Sequence, residues 1–182
     1  MTFSIVAWDG DTPDGAEWGV AVASKFLAVG SVVPWARAKV GAVATQALAN
    51  VAYGPDGLAA LGEHRTAVDV VRLLTAADEE RQHRQLGVVD AAGGSETYTG
   101  SECLPWAGGV AGPGFAAQGN ILTGPEVVDL MVEAFTVAKG DLASRLMAAL
   151  LAGDRAGGDR RGRQSAAMLV AVSYTHLRAH ET

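Results

Sequence analysis

The order in which strand-like and helix-like segments follow one another constrains this chain more than any other feature. It opens with two runs rich in β-branched and aromatic residues, Thr2-Phe3-Ser4-Ile5-Val6-Ala7-Trp8 and Glu17-Trp18-Gly19-Val20-Ala21-Val22-Ala23-Ser24. Asp9-Gly10-Asp11-Thr12-Pro13-Asp14-Gly15 lies between them and favours a tight connection, so the pair reads as a hairpin. A third strand is expected at Gly41-Ala42-Val43-Ala44-Thr45-Gln46-Ala47, where small apolar residues suit a sheet packed on both faces. Apolar residues then recur at three and four, predicting helices over residues 55–64 and 66–77. The run Asp78-Glu79-Glu80-Arg81 reads as a solvated helix end or loop. Residues 85–90 and 95–99 flank Ala91-Ala92-Gly93-Gly94 and predict a second hairpin. Residues 100–120 are too rich in glycine, with Pro105 and Pro113, to be regular throughout. Helices are expected at 125–138 and 142–152, and a last strand at 165–172. That succession lacks the strand–helix alternation of a doubly wound parallel sheet. It predicts an α+β fold of antiparallel sheets with helices on their outer faces.

Composition narrows the partners. A net charge of -6 argues against nucleic acid, since phosphate binding needs clustered cations. The one basic cluster, Arg160-Arg161-Gly162-Arg163, follows Asp154 and Asp159 and reads as a local site or turn. The single cysteine, Cys103, excludes an internal disulfide, fits a reducing compartment, and reads as a small buried or half-buried residue. The first apolar run lacks a basic lead, and no segment approaches the roughly 20 apolar residues of a membrane span. A cytoplasmic protein without a membrane partner is therefore expected. A length of 182 residues suits one domain, placed at residues 1–172. Residues 173–182 break the strand texture and read as a non-native, adapter-like tail.

The chemistry begins at the second residue. Removal of Met1 would leave Thr2 with a hydroxyl and a free α-amine, a nucleophile carrying its own base, since that amine titrates near 7.7–8.0. Lys25, after Ser24 at the end of the second strand, could hold the amine neutral and screen an oxyanion. Gln118-Gly119-Asn120 closes the glycine-rich stretch and could turn amide groups toward a small site. The polar run 157–165, with Asp159, Arg161 and Ser165, sits at the mouth of the last strand. No metal or cofactor is expected. His176 and His180 are four apart but lack an intervening glutamate and a third ligand. Gly112-Pro113-Gly114-Phe115-Ala116-Ala117 imitates a dinucleotide fingerprint without the strand before it or the helix after it. No Gly-x-Ser-x-Gly elbow is present.

Together these segments resemble the family of unknown function DUF1028, whose members look like N-terminal-nucleophile (Ntn) hydrolases. Residues 2–7, 20–25, 41–46, 53–55, 84–90, 99–103, 118–122 and 157–165 carry the resemblance, which runs to about Val172. It implies a four-layer αββα sandwich, here C-terminally truncated, because family members continue for some tens of residues with further strands. It places Thr2 at the nucleophile position, Lys25 beside the amine, and Asp159 and Ser165 in the region that orients it. Ser24, Gln118, Gly119, Asn120 and Arg161 become candidates for contact with the oxyanion or substrate. The activity implied is an amidohydrolase or peptidase-like enzyme taking a small-molecule or peptide amide. The competing expectation is a catalytically silent fold serving as a ligand-binding or assembly module, with Trp8, Trp18, Trp35 and Trp106 as core and interface. Ntn-like sheets often assemble, so a homo-oligomer is compatible with either.

Overall fold

A computed structural model describes residues 2–10, 12 and 15–173; the tail from 174 on, with His176 and His180, lies outside the described residues. The opening runs form β1 (Thr2–Asp9) and β2 (Glu17–Ser24), paired antiparallel from Thr2 against Ser24 to Asp9 against Glu17. Next come β3 (Pro34–Arg37), β4 (Gly41–Ala47), α1 (Tyr53–Gly62) and α2 (Ala67–Ala76). The second expected hairpin is β5 (Arg84–Asp90) with β6 (Ser95–Thr99), closed through Gly93 at a φ of 84°. Irregular backbone in the glycine-rich stretch is confined to residues 100–107 and the turn at 113–114. The rest is a third hairpin, β7 (Gly108–Gly112) with β8 (Phe115–Asn120). The chain ends in α3 (Glu126–Val137), α4 (Leu142–Arg155) and β9 (Ser165–Val172).

Two further elements depart from sequence expectation. Strand β3 carries no periodic signal because it is four residues long and starts at a proline, which an edge strand tolerates. Helix α4 runs on to Arg155, where Gly153 packs within the core rather than ending the helix.

The strands make two antiparallel sheets among the described residues, in the orders β7-β8-β1-β2-β9 and β3-β4-β5-β6. Period-two alternation then sorts each strand between two environments. Phe3, Ile5, Ala7, Ala21 and Ala117 face α3 and α4, packing on Met131, Phe135, Leu142 and Leu146. Val43, Leu86 and Val88 face α1 and α2, packing on Leu61, Val70 and Leu74. Val6, Trp18, Val20, Val22, Ala42, Ala44, Val89 and Ala116 fill the space between the sheets. The layers are therefore helix, sheet, sheet, helix. Helices α2 and α4 open at side-chain caps: Thr66 accepts from the Asp69 amide, and Asp141 from the Ser144 amide. Each such cap contributes about 1 kcal/mol. No helix among the described residues is long and apolar enough to cross a membrane.

Candidate functional site

The inter-sheet layer changes character along its length. Its Trp18 end is apolar, joined across the sheets by the bond from Trp18 Nε1 to the Asp90 carbonyl (3.0 Å). At the other end the inward positions are Thr2, Ser4, Gln46, Gln85, Gln118 and Asn120, all buried. Such groups are costly to bury unless hydrogen-bonded, and here they bond to one another. Ser4 Oγ donates to Gln46 Oε1 (2.7 Å) and accepts from Gln118 Nε2 (2.7 Å). Gln85 Oε1 accepts from Gln46 Nε2 (2.8 Å) and from Asn120 Nδ2 (3.0 Å). Gln85 Nε2 donates to Thr99 Oγ1 and to the Gly119 carbonyl, at 2.9 and 2.7 Å. This uncharged network ties the two sheets together beside the head of β1.

Sequence reasoning missed Ser4, Gln46 and Gln85, although a signal existed. Gln46 shares the parity of Ala42 and Ala44, and Gln85 that of Val89, so both had to point into the layer between the sheets. Gly87, midway along β5, has the same role: a Cβ there would overlap the Gln118 carboxamide. Gly87→Ala is expected to displace Gln118 and destabilise the fold by about 1–3 kcal/mol. Thermal denaturation reads the loss, and a variant melting with the parent would contradict this packing.

The register places four candidates in one row across the five-stranded sheet: Asn120, Thr2, Ser24 and Ser165 pair successively from β8 through β1 and β2 to β9. Thr2 is 5% exposed, and its Oγ1 lies 3.0 Å from Ser24 Oγ, in hydrogen-bond contact. Ser165 stands two strands away from Thr2, roughly 10 Å at ordinary strand spacing. Its Oγ donates to the Phe26 carbonyl (2.6 Å) and accepts from the Val29 amide (3.0 Å), fixing the loop after β2. Gln118 and the Gly119 backbone belong to the inter-sheet network.

Asp159 is buried and joins the end of β8 through a bridge with Leu122. Its carboxylate accepts from the Lys25 amide (2.7 Å) and the Arg161 amide (2.8 Å), with the Arg161 guanidinium at 3.5 Å. The Lys25 side chain is exposed. The Arg160 amide reaches the Ile121 carbonyl (3.4 Å), and the Gln164 amide the Ser24 carbonyl (3.2 Å). Residues 159–164 thus cross the ends of β8 and β2, with β1 and its leading Thr2 between them. A groove of about 760 Å³ adjoins this end, lined by Phe3, Ser24, Leu150, Asp159, Ser165 and Met168 among others.

A second polar group closes the same end of the other sheet. Asp78 accepts from Arg84 Nε (2.9 Å), Tyr53 Oη (2.9 Å), Asn50 Nδ2 (3.2 Å) and the Glu80 amide (2.9 Å). Only 9% of the Asp78 side chain is exposed, so it departs from the solvated run expected from sequence. Its carboxyl is held well below the usual range, chiefly by the Arg84 guanidinium. The Tyr53 hydroxyl is pushed up by burial and then by Asp78. Cys103 Sγ donates to the Arg84 carbonyl (3.3 Å), and burial raises its thiol above the ordinary value. Among the described residues, no three His, Cys, Asp or Glu side chains gather as metal ligands.

Helix pairs covering two facing antiparallel sheets make a four-layer αββα fold. HslV from Trypanosoma brucei, an Ntn hydrolase, matches this fold with a TM-score of 0.54 at 10% identity, over 94% of this chain and 99% of that one. The chain itself belongs to the family of unknown function DUF1028, whose model matches residues 2–182, tail included. Protein SPO2555 from Silicibacter pomeroyi, of the same family, is 35% identical with a TM-score of 0.86, over 94% of this chain and 76% of that one. No curated protein matches.

Proposed function

We propose that this chain hydrolyses amide bonds through Thr2 after Met1 has been removed. The observation that carries the reading is the position of the Thr2 hydroxyl, at the polar end of the inter-sheet layer and 3.0 Å from Ser24 Oγ. Loss of Met1 turns the Thr2 backbone nitrogen into an α-amine of pKa about 8, neutral in sizeable fraction near pH 7. Thr2 Oγ1 then attacks the amide carbonyl carbon as its proton passes to that amine. The carbon–nitrogen bond breaks as the amine returns the proton to the leaving nitrogen, leaving an ester on Thr2. Water opens the ester, releasing the acid and restoring the hydroxyl. Asn120, paired with Thr2, uses one amide hydrogen on Gln85 and has a second for the developing oxyanion. The exposed Lys25 side chain, one residue beyond Ser24, supplies in this reading the positive charge that favours the neutral amine. In this reading Asp159 and Ser165 act by holding the loops that frame the hydroxyl.

A silent binding module is the second reading, favoured by the commitment of the Gln118 carboxamide to Ser4 and Thr97. Intact mass and acylation separate the two. The enzyme reading expects Met1 to be absent and a peptidyl β-lactone to leave one acyl group, mapped to Thr2. A processed chain left unlabelled, or a retained Met1, would sink the enzyme reading.

A further inference from the structure

Among the described residues each sheet ends in two edge strands, β7 and β9 in one, β3 and β6 in the other. An edge offers unpaired amides and carbonyls to any strand that meets it, so folded proteins blunt such edges with shortness, charge, proline or glycine. Three of the four are blunted here. Strand β3 has four residues, opens at Pro34 and ends at Arg37. Strand β6 has five and carries Glu96. Strand β7 also has five, and Gly108, Gly109 and Gly112 are among them.

Strand β9 has none of these devices. It runs for eight residues, Ser165 to Val172, without a charge, proline or glycine, and pairs with β2 at every position. Its surface is apolar on both faces. Leu169, 39% exposed, lies opposite Val20 and shares the parity of the inter-sheet layer. Val172, 37% exposed, shares the parity of Met168 and Val170, which pack toward the helices. On that side Met147 and Leu151, one turn apart on α4, are 46% and 45% exposed. They line the groove together with Ala166 and Met168. Strand edge and helix face therefore form one continuous apolar surface, and the charges at its end, Asp154 and Arg163, are paired with each other (2.7 Å).

We propose that this surface seats a second copy of the chain, with the two β9 strands paired antiparallel about a two-fold axis. Such an interface is self-complementary: each edge satisfies the amides and carbonyls of the other, and no like charges meet because β9 carries none. Two five-stranded sheets become one continuous sheet, and the two-fold closes the assembly. An eight-residue strand is about 26 Å long, and with its helix layer the face is roughly 20 Å deep. The pair then buries on the order of 1,000 Å², the size at which a specific dimer of moderate affinity forms.

Sedimentation velocity on the full chain across a concentration series tests the assembly. A monomer–dimer equilibrium with a dissociation constant on the order of micromolar is expected. Leu169→Lys sets two ammonium groups near the axis and should weaken the dimer about tenfold or more. Leu151→Lys, on the helix face, should weaken it as well. Val110→Lys, at a 40% exposed position on the β7 edge, should leave it unchanged, and melting curves check that each variant folds. A chain that stays monomeric to about 100 times that concentration would leave the edge free for a different strand and overturn the dimer. Association untouched by Leu169→Lys and Leu151→Lys, or weakened equally by Val110→Lys, would place the contact elsewhere. Species that grow beyond the dimer with concentration would overturn the two-fold arrangement.

Discussion

Thr2→Ala is expected to lower amide hydrolysis by about a thousandfold or more, the usual consequence of deleting a nucleophile that works as a unit with its base. In the proposed mechanism the alanine chain still carries an α-amine once Met1 is removed, so what is lost is the attacking oxygen alone. Folding should survive the change. The lost contact is the one with Ser24 Oγ, worth about 1 kcal/mol. The neighbouring network through Ser4, Gln46 and Gln118 does not involve the Thr2 hydroxyl. Thr2→Ser keeps the oxygen and should retain activity within about tenfold. Release of a fluorophore from a panel of acyl amides, with melting curves for each variant, separates catalysis from stability. Undiminished turnover by the alanine variant would remove Thr2 from the chemistry.

The second large effect concerns stability. Asp78 and Arg84 expose 9% and 12% of their side chains, so removing the carboxylate leaves a largely shielded guanidinium with only the exposed Glu80 carboxylate (2.6 Å) and the Leu48 carbonyl (2.7 Å) as partners. Asp78→Asn also weakens the bonds from Tyr53 and Asn50 that close the loop before α1. A loss of about 2 kcal/mol is expected, between the values for buried and for exposed pairs. For a chain this long that corresponds to roughly 4–8 °C in Tm. The pH dependence follows from the direction of the shift. The folded carboxyl titrates below its unfolded value, so its contribution is complete above about pH 4 and falls away as the pH drops further. Urea titrations at pH 7 and pH 3 should show the parent losing more stability than Asp78→Asn across that interval. Parallel acid profiles would mean the pair contributes little.

How much of this was legible in the chain can be judged strand by strand. The β1–β2 hairpin stood out because branched and aromatic residues alternate on either side of a turn-forming run. The β5–β6 hairpin stood out through Gly93-Gly94. Strand β8 was obscure, since Phe-Ala-Ala-Gln-Gly-Asn carries weak strand propensity. Its small residues suit a central strand buried on both faces, and burial rather than propensity makes it a strand. Thr2 could be marked as a candidate nucleophile from its place after Met1. The glutamines beside it were within reach of a parity argument that single-residue inspection passes over.

The sequence by itself determined the helices, the β1–β2 and β5–β6 hairpins, β4 and β9, and the antiparallel character of the sheets, because period and turn chemistry act over a few neighbouring residues. Only the tertiary structure decided that Asp159 binds the backbone of Lys25, 134 residues away, and that Ser165 secures Phe26 and Val29. It also decided that Asp78 is enclosed rather than solvated. Contacts of that kind depend on which strand lies beside which and in what register. Local propensity does not encode those relations; they emerge when three layers of apolar surface are buried together.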